Sequence, residues 1–501
     1  MQPKNQLSAG EREFFSLVSR AMFVNPFSEE RSDLDRKIAG QYPQADRSEI
    51  IARAVEEVAR RIEILEQEKR SDLHFYAAED AKILEKTFLF DFFYRFKDRF
   101  DQLIRDQIQA GENPIKIPFY PEALSLMLRR GFTEEMFRRN FELGFQARRA
   151  FFFIDRTLVG NSRSMKQLRL DLWNNVFTHN IEFYERYLWN RLEDFSTLIL
   201  GETGTGKGTA ALAIGRSGFI PLDKRKRIFV ESFARSFVSL NLSQFPETLI
   251  ESELFGHKKG AFTGALEDHN GVFDRCSPYG AILLDEIGEV SRPVQIKLLQ
   301  VLQERIYSPV GSQKKNRFHG RVIAATNRPI EEIRGKGLFR DDFYYRLCSD
   351  IITVPPLRQR IQEAPEELDR LLYFTVEKMI GTPSPELVAA VRAVIDKQLG
   401  PNYAWPGNVR ELEQCVRRVL LKGTYAGDFQ LAATELNAKL KHHIDGGDIS
   451  AQHLTSAYCS LLYQRHGTFE EVSRRTALDR RTVKKYIQEW GLVNAVDEEE
   501  P

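Results

Sequence analysis

Up to about residue 157 the chain carries an apolar rhythm of helical spacing with few glycines. Ile51, Val55, Val58, Ile62 and Leu65 recur at alternating steps of four and three, which places them on one face of a helix. The stripe is shorter than the three or four heptads a coiled coil needs, so it predicts a helix packed into a bundle. The run Phe88-Leu89-Phe90-Asp91-Phe92-Phe93-Tyr94-Arg95-Phe96 reads as core rather than as a ligand pocket. From about Leu158 the texture changes. Short apolar runs at Thr197 to Leu200, Ile228 to Val230, Ala281 to Leu284 and Arg321 to Ala325 alternate with helical stretches, which predicts a parallel α/β sheet. After Pro355-Pro356 the pattern is helical again. It passes through a less regular stretch from Gly427 to Gly447 and ends in a compact basic segment and an acidic tail, Asp497 to Glu500.

Composition narrows this picture only in places. A chain of 501 residues, 42% of them hydrophobic, has room for roughly three or four domains, each with a core. Lys and Arg number 72 against 71 Asp and Glu, so a nucleic-acid role needs a local basic patch rather than global charge. The cysteines, Cys276, Cys348, Cys415 and Cys459, are far apart and form no CxxC pair, which fits reduced thiols and a cytoplasmic setting. The first residues hold no apolar signal segment, and no run of ~18 apolar residues occurs, so neither export nor a membrane span is expected.

The chemistry concentrates in the middle. Gly201-Glu202-Thr203-Gly204-Thr205-Gly206-Lys207 follows the apolar run Thr197 to Leu200 and precedes a helical stretch, the context of a phosphate-binding loop. Its glycine N–H groups can ring a phosphate, Lys207 can reach the outer oxygens, and the helix N-terminus adds partial positive charge. The next position, where the general motif has a Mg2+-binding hydroxyl, is Gly208, with Thr209 one place later. Ala281 to Glu286 reads as a buried strand ending in two carboxylates: Asp285 suits a metal shell and Glu286 suits an attacking water. Asn327 ends another strand with an amide able to orient that water, although a lone Asn is also a turn former. Between loop and carboxylates lies Gly260-Ala261-Phe262-Thr263-Gly264-Ala265. Its glycines permit a tight reversal that presents Phe262 and Thr263 at a tip, as a partner contact or as an ordinary turn beside a buried Phe.

The segment Gly467 to Ile487 reads as helix, turn, helix. Val472, Leu478, Val483 and Ile487 fall between the helices, and Arg480, Arg481, Thr482, Lys484 and Lys485 fall on a basic outer face. A solvated helical hairpin has the same pattern.

Taken in order, GETGTGKG, LNLSQFPETLIESELFGHKKGAFTGA, AILLDEIGEV, KLLQVLQER, VIAATNR, GLFRDDFYYRL, VPPLRQR and WPGNVREL resemble the AAA+ domain of bacterial enhancer-binding proteins, from about Leu158 to Leu420. These are the ATP-dependent activators of sigma-54 RNA polymerase. The C-terminal segment resembles their Fis-type helix-turn-helix. The resemblance implies a multidomain chain: a helical N-terminal regulatory or sensory region (1–157), an α/β AAA+ P-loop ATPase core (158–356) with a helical lid (357–425), a linker (426–449) and an all-α helix-turn-helix (450–495). It implies ATP and Mg2+ as cofactors, and as partners the sigma-54 holoenzyme through the GAFTGA loop, double-stranded enhancer DNA, and further copies of the chain, from a dimer to a hexameric ring. By position, Gly201 to Lys207 with Gly208 and Thr209 would hold nucleotide, Asp285 metal and Glu286 water. Asn241 would couple Glu286 to the nucleotide, and Asn327 and Arg410 would be the two sensors. Arg340 and Arg346 would be the candidate fingers reaching a neighbouring subunit.

The chain departs from the family at Gly208, where Glu is usual, at Leu242-Ser243, and in the long stretch Leu170 to Phe195 before the loop. Two other readings stay open: a remodeller of a different partner, and a DNA-binding regulator that uses ATP only to assemble. The N-terminal region lacks the acidic cluster and strand alternation of a phospho-acceptor domain, so control by phosphorelay is not expected.

Overall fold

Four of the N-terminal helices begin where a short polar side chain takes the first free N–H groups. Ser8 caps α1 (Ala9–Phe23) in a reciprocal box with Glu11, Ser28 caps α2 (Glu29–Ala39), and Asp46 caps α3 (Arg47–Gln67). Then follow α4 (Ala78–Arg95), α5 (Lys97–Ala110), α6 (Tyr120–Arg129), α7 (Glu134–Thr157), capped by Thr133, and α8 (Arg163–Phe177). The computed structural model describes residues 6–40, 46–335, 337–401, 403–427 and 449–496, with residues 440, 444 and 447. Most of the expected linker and the acidic tail lie outside these residues.

The stripe on α3 is real but rotated. Ile50, Ala54, Val58, Ile62 and Leu65 are buried, while Ile51 and Val55 flank them half-exposed. Ala54 was invisible to a pattern of large apolar residues, yet it is fully buried. The aromatic run is core, as expected: Phe88, Phe90, Phe92 and Phe96 are almost fully buried. Gly144 on α7 is needed here, because a Cβ would lie 1.7 Å from the Phe93 ring of α4.

Five parallel strands form the central sheet, in the order β4 (Phe237–Asn241), β5 (Ala281–Asp285), β8 (Arg321–Thr326), β1 (Thr197–Leu200), β9 (Asp350–Thr353). One expectation needs correction. Ile228 to Val230 does not join this sheet: β3 (Ile228–Phe229) pairs antiparallel with β2 (Leu222–Asp223) in a hairpin. The basic turn between them, with Arg227 at φ +55°, reverses the chain, and Phe229 stacks 4.3 Å from Phe145 of α7. The strand taking its place is β4, whose alternating Ser239 hid it from an apolar scan. A second small hairpin joins β6 (Ile306–Tyr307) and β7 (Asn316–Arg317).

One hydrophobic core spans the N-terminal helices and one face of this sheet, from Phe15 and Phe88 through Phe141 and Phe145 to Ile199, Ala210, Phe229 and Ile323. The other face packs on helices that include Arg292–Glu304 and Asp341–Leu347. The stretch Leu170 to Phe195 completes α8 and then turns through short helical segments into β1, burying Trp173, Phe177 and Tyr184 in the first core.

Residues from Pro355 onward, with Gly160–Ser162 and Thr203–Thr205, make a second unit. It holds the helices Leu357–Glu363, Glu367–Ile380, Pro385–Gln398 and Asn408–Lys422, then Ala451–His466, Phe469–Thr476 and Arg480–Val496. Inside it Glu367, fully buried, pairs with Arg360 at 2.8 Å and accepts the N–H groups of Asn161 and Ser162. No described helix is long and apolar enough to cross a membrane. All four cysteines are free thiols, and burial pushes those of Cys276, Cys348 and Cys415 up to about 12, which makes them poor nucleophiles.

Candidate nucleotide site, contact loop and helix-turn-helix

In a parallel sheet the strand C-termini share one edge, and ligand sites of open α/β folds lie there. The register fixes what gathers at that edge. Asn241 pairs with Asp285 and Asp285 with Ala325, two residues before Asn327, while Leu200, paired with Thr326, leads directly into Gly201.

The loop after β1 uses left-handed backbone at Gly201, Gly204 and Gly206, with φ of +153°, +82° and +109°. Lys207 opens the helix Lys207–Gly215, and its buried Nζ donates to the carbonyls of Gly201 (2.8 Å) and Glu202 (3.1 Å). Gly208 is exposed, and a Cβ there would meet nothing within 4 Å. No steric demand of this chain therefore explains the glycine. In the second unit the tip Thr203–Thr205 rests on the start of the helix Asn408–Lys422. Asn408 donates to the Thr203 carbonyl at 3.1 Å, the Arg410 N–H lies 3.3 Å from the Gly204 carbonyl, and a Cβ on Gly204 would fall 2.3 Å from the Gly407 carbonyl. The Arg410 side chain is exposed.

Glu286 takes a left-handed conformation at φ +56°, an uncommon position for a non-glycine residue and one frequent at functional sites. Burial pushes its carboxyl up from the ordinary value. The Lys207 charge and the Asn327 N–H pull it back, and the Asp285 charge adds to the rise. Lys207, Asn327 and Asp285 therefore all lie close enough to act on the Glu286 carboxyl. Asn241 caps a short helical turn, its Oδ1 accepting from the Ser243 N–H at 3.0 Å and the Ser243 hydroxyl at 2.8 Å. Arg340 is half-exposed and forks onto Asp342 at 3.1 and 2.9 Å, whereas Arg346 turns its Nε to the Leu302 carbonyl at 2.9 Å.

Gly260–Ala265 forms the tip of a hairpin. His257 and His269 pair across its base, Lys258 bonds to the Val310 carbonyl, and Asp268 holds both the Lys258 ammonium (2.5 Å) and the Lys259 N–H (2.8 Å). Gly260 and Gly264 have φ of +82° and +101°. Phe262 is 37% exposed with its ring edge-on to His257 at 4.9 Å, Thr263 is exposed, and Leu266 beside them is 79% exposed. Ala261 lies against Gly311, and Ala265 is buried.

In the C-terminal helices Val472 and Val483 are fully buried with Cys459, and Leu478 and Ile487 pack against them. Ala477, at φ +56°, makes the turn, and Asp479 caps the last helix through the N–H groups of Arg481 and Thr482 and the Thr482 hydroxyl. Arg480 pairs with Glu470 at 2.7 Å and Lys485 with Glu489 at 3.5 Å. Arg481 and Lys484 are exposed and make no ion pair among the described residues.

Three supporting side chains were not singled out from the sequence, although Asn408 and Arg328 lie within WPGNVREL and VIAATNR. Buried Gln295 accepts the Arg340 N–H at 3.0 Å and donates to the Leu338 and Val290 carbonyls; Asn408 braces the loop tip; and Arg328 bonds Glu289 at 2.7 Å beside Asn327. Only the long-range partner reveals what each does.

Residues 178–353 match the Sigma-54 interaction domain. The chain is 44% identical over 230 residues to the Nif-specific regulatory protein of Azotobacter vinelandii, covering 46% of this chain and 40% of that protein. It is 37% identical over 310 residues to the hydrogenase transcriptional regulatory protein HoxA of Cupriavidus necator, covering 61% and 58%. Against the DNA-binding transcriptional regulator NtrC of Azospirillum brasilense it is 39% identical over 226 residues, covering 45% and 43%. The chain thus spans about half the length of these curated relatives. A crystal structure of NtrX from Brucella abortus in complex with ADP aligns over 75% of this chain and 80% of that one, at 20% identity and a TM-score of 0.41. The matched segment holds Lys207, Asp285, Glu286 and Asn327 at its sheet edge, so the chain carries, over residues 178–353, a domain that matches the Sigma-54 interaction domain.

Proposed function

We propose that the protein hydrolyses ATP as an assembled ring and uses the turnover to remodel sigma-54 RNA polymerase holoenzyme through Gly260–Ala265, while its C-terminal helices hold enhancer DNA. The observation that carries this is the alignment of Asn241, Asp285 and Asn327 beside the loop that ends in Lys207. The loop residues Gly201 to Thr209 would take the phosphates, with Arg410 as second sensor. Asp285, with the Thr209 hydroxyl, would hold Mg2+, which supplies charge neutralisation when bound. Glu286 draws a proton from the attacking water, Asn327 orients that water, and Asn241 links Glu286 to the nucleotide. Arg340, half in solvent, and Arg346 are the candidate groups for a neighbour's phosphates, which would make hydrolysis depend on assembly.

The test is ATP turnover by the full chain against protein concentration, with Glu286→Gln as control, alongside open-complex formation by sigma-54 holoenzyme on a model promoter. The expected result is a rate per protomer that rises with concentration, vanishes in the variant and accompanies promoter opening. Nucleotide binding with no turnover at any concentration would overturn the hydrolytic reading. Turnover without promoter opening would overturn the choice of partner.

A further inference from the structure

A groove of about 420 Å3, within the size range of small-molecule sites, lies where α6 meets the β2–β3 hairpin, remote in sequence from every motif above. Tyr120, Pro121, Leu124 and Leu128 supply its apolar lining, and Arg129 and Arg227 stand with them. Leu128 is 46% exposed. No described residue covers this part of the helix surface.

The polar groups are arranged unlike those of an ordinary surface. Arg129 bonds only to Ser125, at 3.0 Å, and neither it nor Arg227 makes an ion pair with a carboxylate among the described residues. Most neighbouring arginines do: Arg130 pairs with Glu66 and Asp91, Arg99 with Glu122, and Arg138 with Glu142. Arg227 is fixed by a left-handed backbone and by its carbonyl, which accepts the Ile117 N–H at 3.0 Å. Lys116, Lys224, Arg225 and Lys226, all exposed, add to the positive potential. Beneath the floor the Tyr120 hydroxyl is buried without a hydrogen-bond partner, in a side chain only 3% exposed. An unpaired buried hydroxyl costs stability. Burial and the Glu134 and Glu142 carboxylates push this phenol up, and the Arg138 and Arg227 charges oppose them. Glu142 is itself held by Arg138 and the Leu222 N–H.

We infer that the groove between α6 and the β2–β3 hairpin binds a small organic anion, an apolar body of about one ring carrying a carboxylate or phosphate that Arg129 and Arg227 receive. Apolar lining with a few convergent polar groups is the general form of such sites, and charge-assisted bonds to guanidinium are the stronger kind. The site joins the N-terminal helices to the β2–β3 hairpin, since Arg227 lines it beside α6 and its carbonyl accepts the Ile117 N–H. The inference does not depend on the proposed function.

Saturation-transfer NMR on the full-length chain tests it, with phenylacetate and phenyl phosphate as probes and 2-phenylethanol as the neutral analogue. One or both anions should give a saturable signal, with the neutral analogue at least about tenfold weaker. A preference between the anions supports the site and identifies its head group. The double variant Arg129→Gln/Arg227→Gln should lose at least about tenfold in anion affinity with an unchanged melting temperature, because both side chains are exposed and unpaired. No saturable signal from either anion at millimolar concentration, equal affinity for the neutral analogue, or wild-type binding by the folded double variant would each overturn the proposal.

Discussion

Arg149, buried on α7, donates to the backbone carbonyl of Arg216 at 2.9 Å and so closes the far end of the helix that begins at Lys207. Its other nitrogen donates to the Gly218 carbonyl at 2.7 Å, and Gln146 one turn away donates to that of Ser217 at 2.9 Å. The last carbonyls of a helix have no partner within it. Here the N-terminal region supplies one, with the guanidinium between the rings of Phe145 and Phe233 at 4.9 and 5.5 Å. Burial without a carboxylate pulls this arginine down to about 9. Replacing it with Met keeps most of the volume and removes the bonds. Arg149→Met should destabilise the first unit by on the order of 2 kcal/mol, read as a lower denaturant midpoint for its transition, and should weaken nucleotide binding at a site it does not touch. Unchanged nucleotide affinity would show that the clamp is structural only.

The glycines of the phosphate loop should respond in opposite directions. Gly208 sits in the first turn of its helix at negative φ with open space around it, so Gly208→Ala should stabilise by about 0.5–1 kcal/mol and leave turnover intact. Gly204 has φ +82° and a carbonyl 2.3 Å from any added Cβ, so Gly204→Ala should lower the melting temperature and abolish nucleotide binding. Thermal melts and a fluorescent-nucleotide titration of the two variants decide both halves.

The raised carboxyl of Glu286 predicts a pH profile. A general base must be ionised to act, and burial favours its protonated form, with Asp285 adding to the rise and Lys207 opposing it. The acid limb of the turnover rate should therefore fall at a pH above 4.5, the ordinary value for a glutamate. A limb at or below that value, measured where the protein stays folded, would assign the limiting proton elsewhere.

What the sequence shows and hides follows contact range. The phosphate loop, the Asp285-Glu286 pair, the Gly260–Ala265 turn and the final helix pair are each written in consecutive residues, because each is built by local backbone geometry. Sheet membership is not local. Ile228 to Val230 had the better strand composition, yet Phe237–Asn241 won the place beside β5 because the turn at Arg227 sends Phe229 into the aromatic core instead. The roles of Gln295, Asn408 and Arg149 were unreadable for the same reason: their bonds reach 45, 205 and 67 residues along the chain.

Phe262 should be dispensable for folding and for turnover. It is partly exposed at the tip of a hairpin whose stem is held by the backbone pairing of His257 with His269 and by Asp268, and its ring adds only an edge-on contact to His257. Phe262→Ala should cost less than ~1 kcal/mol and keep the hydrolysis rate, while promoter opening is lost. Asp268→Asn, which weakens the grip on Lys258, should instead loosen the tip and reduce both coupling and protease resistance at Lys258-Lys259. If Phe262→Ala lost turnover along with opening, the loop would be part of the hydrolytic machinery rather than a contact.

The basic face of the last helix divides into paired and unpaired charges, and DNA binding should follow that division. A cation already bonded to a carboxylate must leave that partner to meet a phosphate, whereas an unpaired one releases counterions at no such cost. Arg480 is held by Glu470 and Lys485 by Glu489, while the Thr482 hydroxyl is spent on capping with Asp479. Arg481 and Lys484 are left to lead. Arg481→Ala and Lys484→Ala should each weaken binding to duplex DNA uniformly across sequences and reduce the slope of log affinity against log salt by about one, with Arg480→Ala showing less of both. Thr482→Ala should act through the cap, lowering helix stability by about 1 kcal/mol before it changes any salt dependence. Fluorescence anisotropy of a labelled duplex across a salt series separates these effects, and a salt slope that drops most for Arg480→Ala would reverse the assignment.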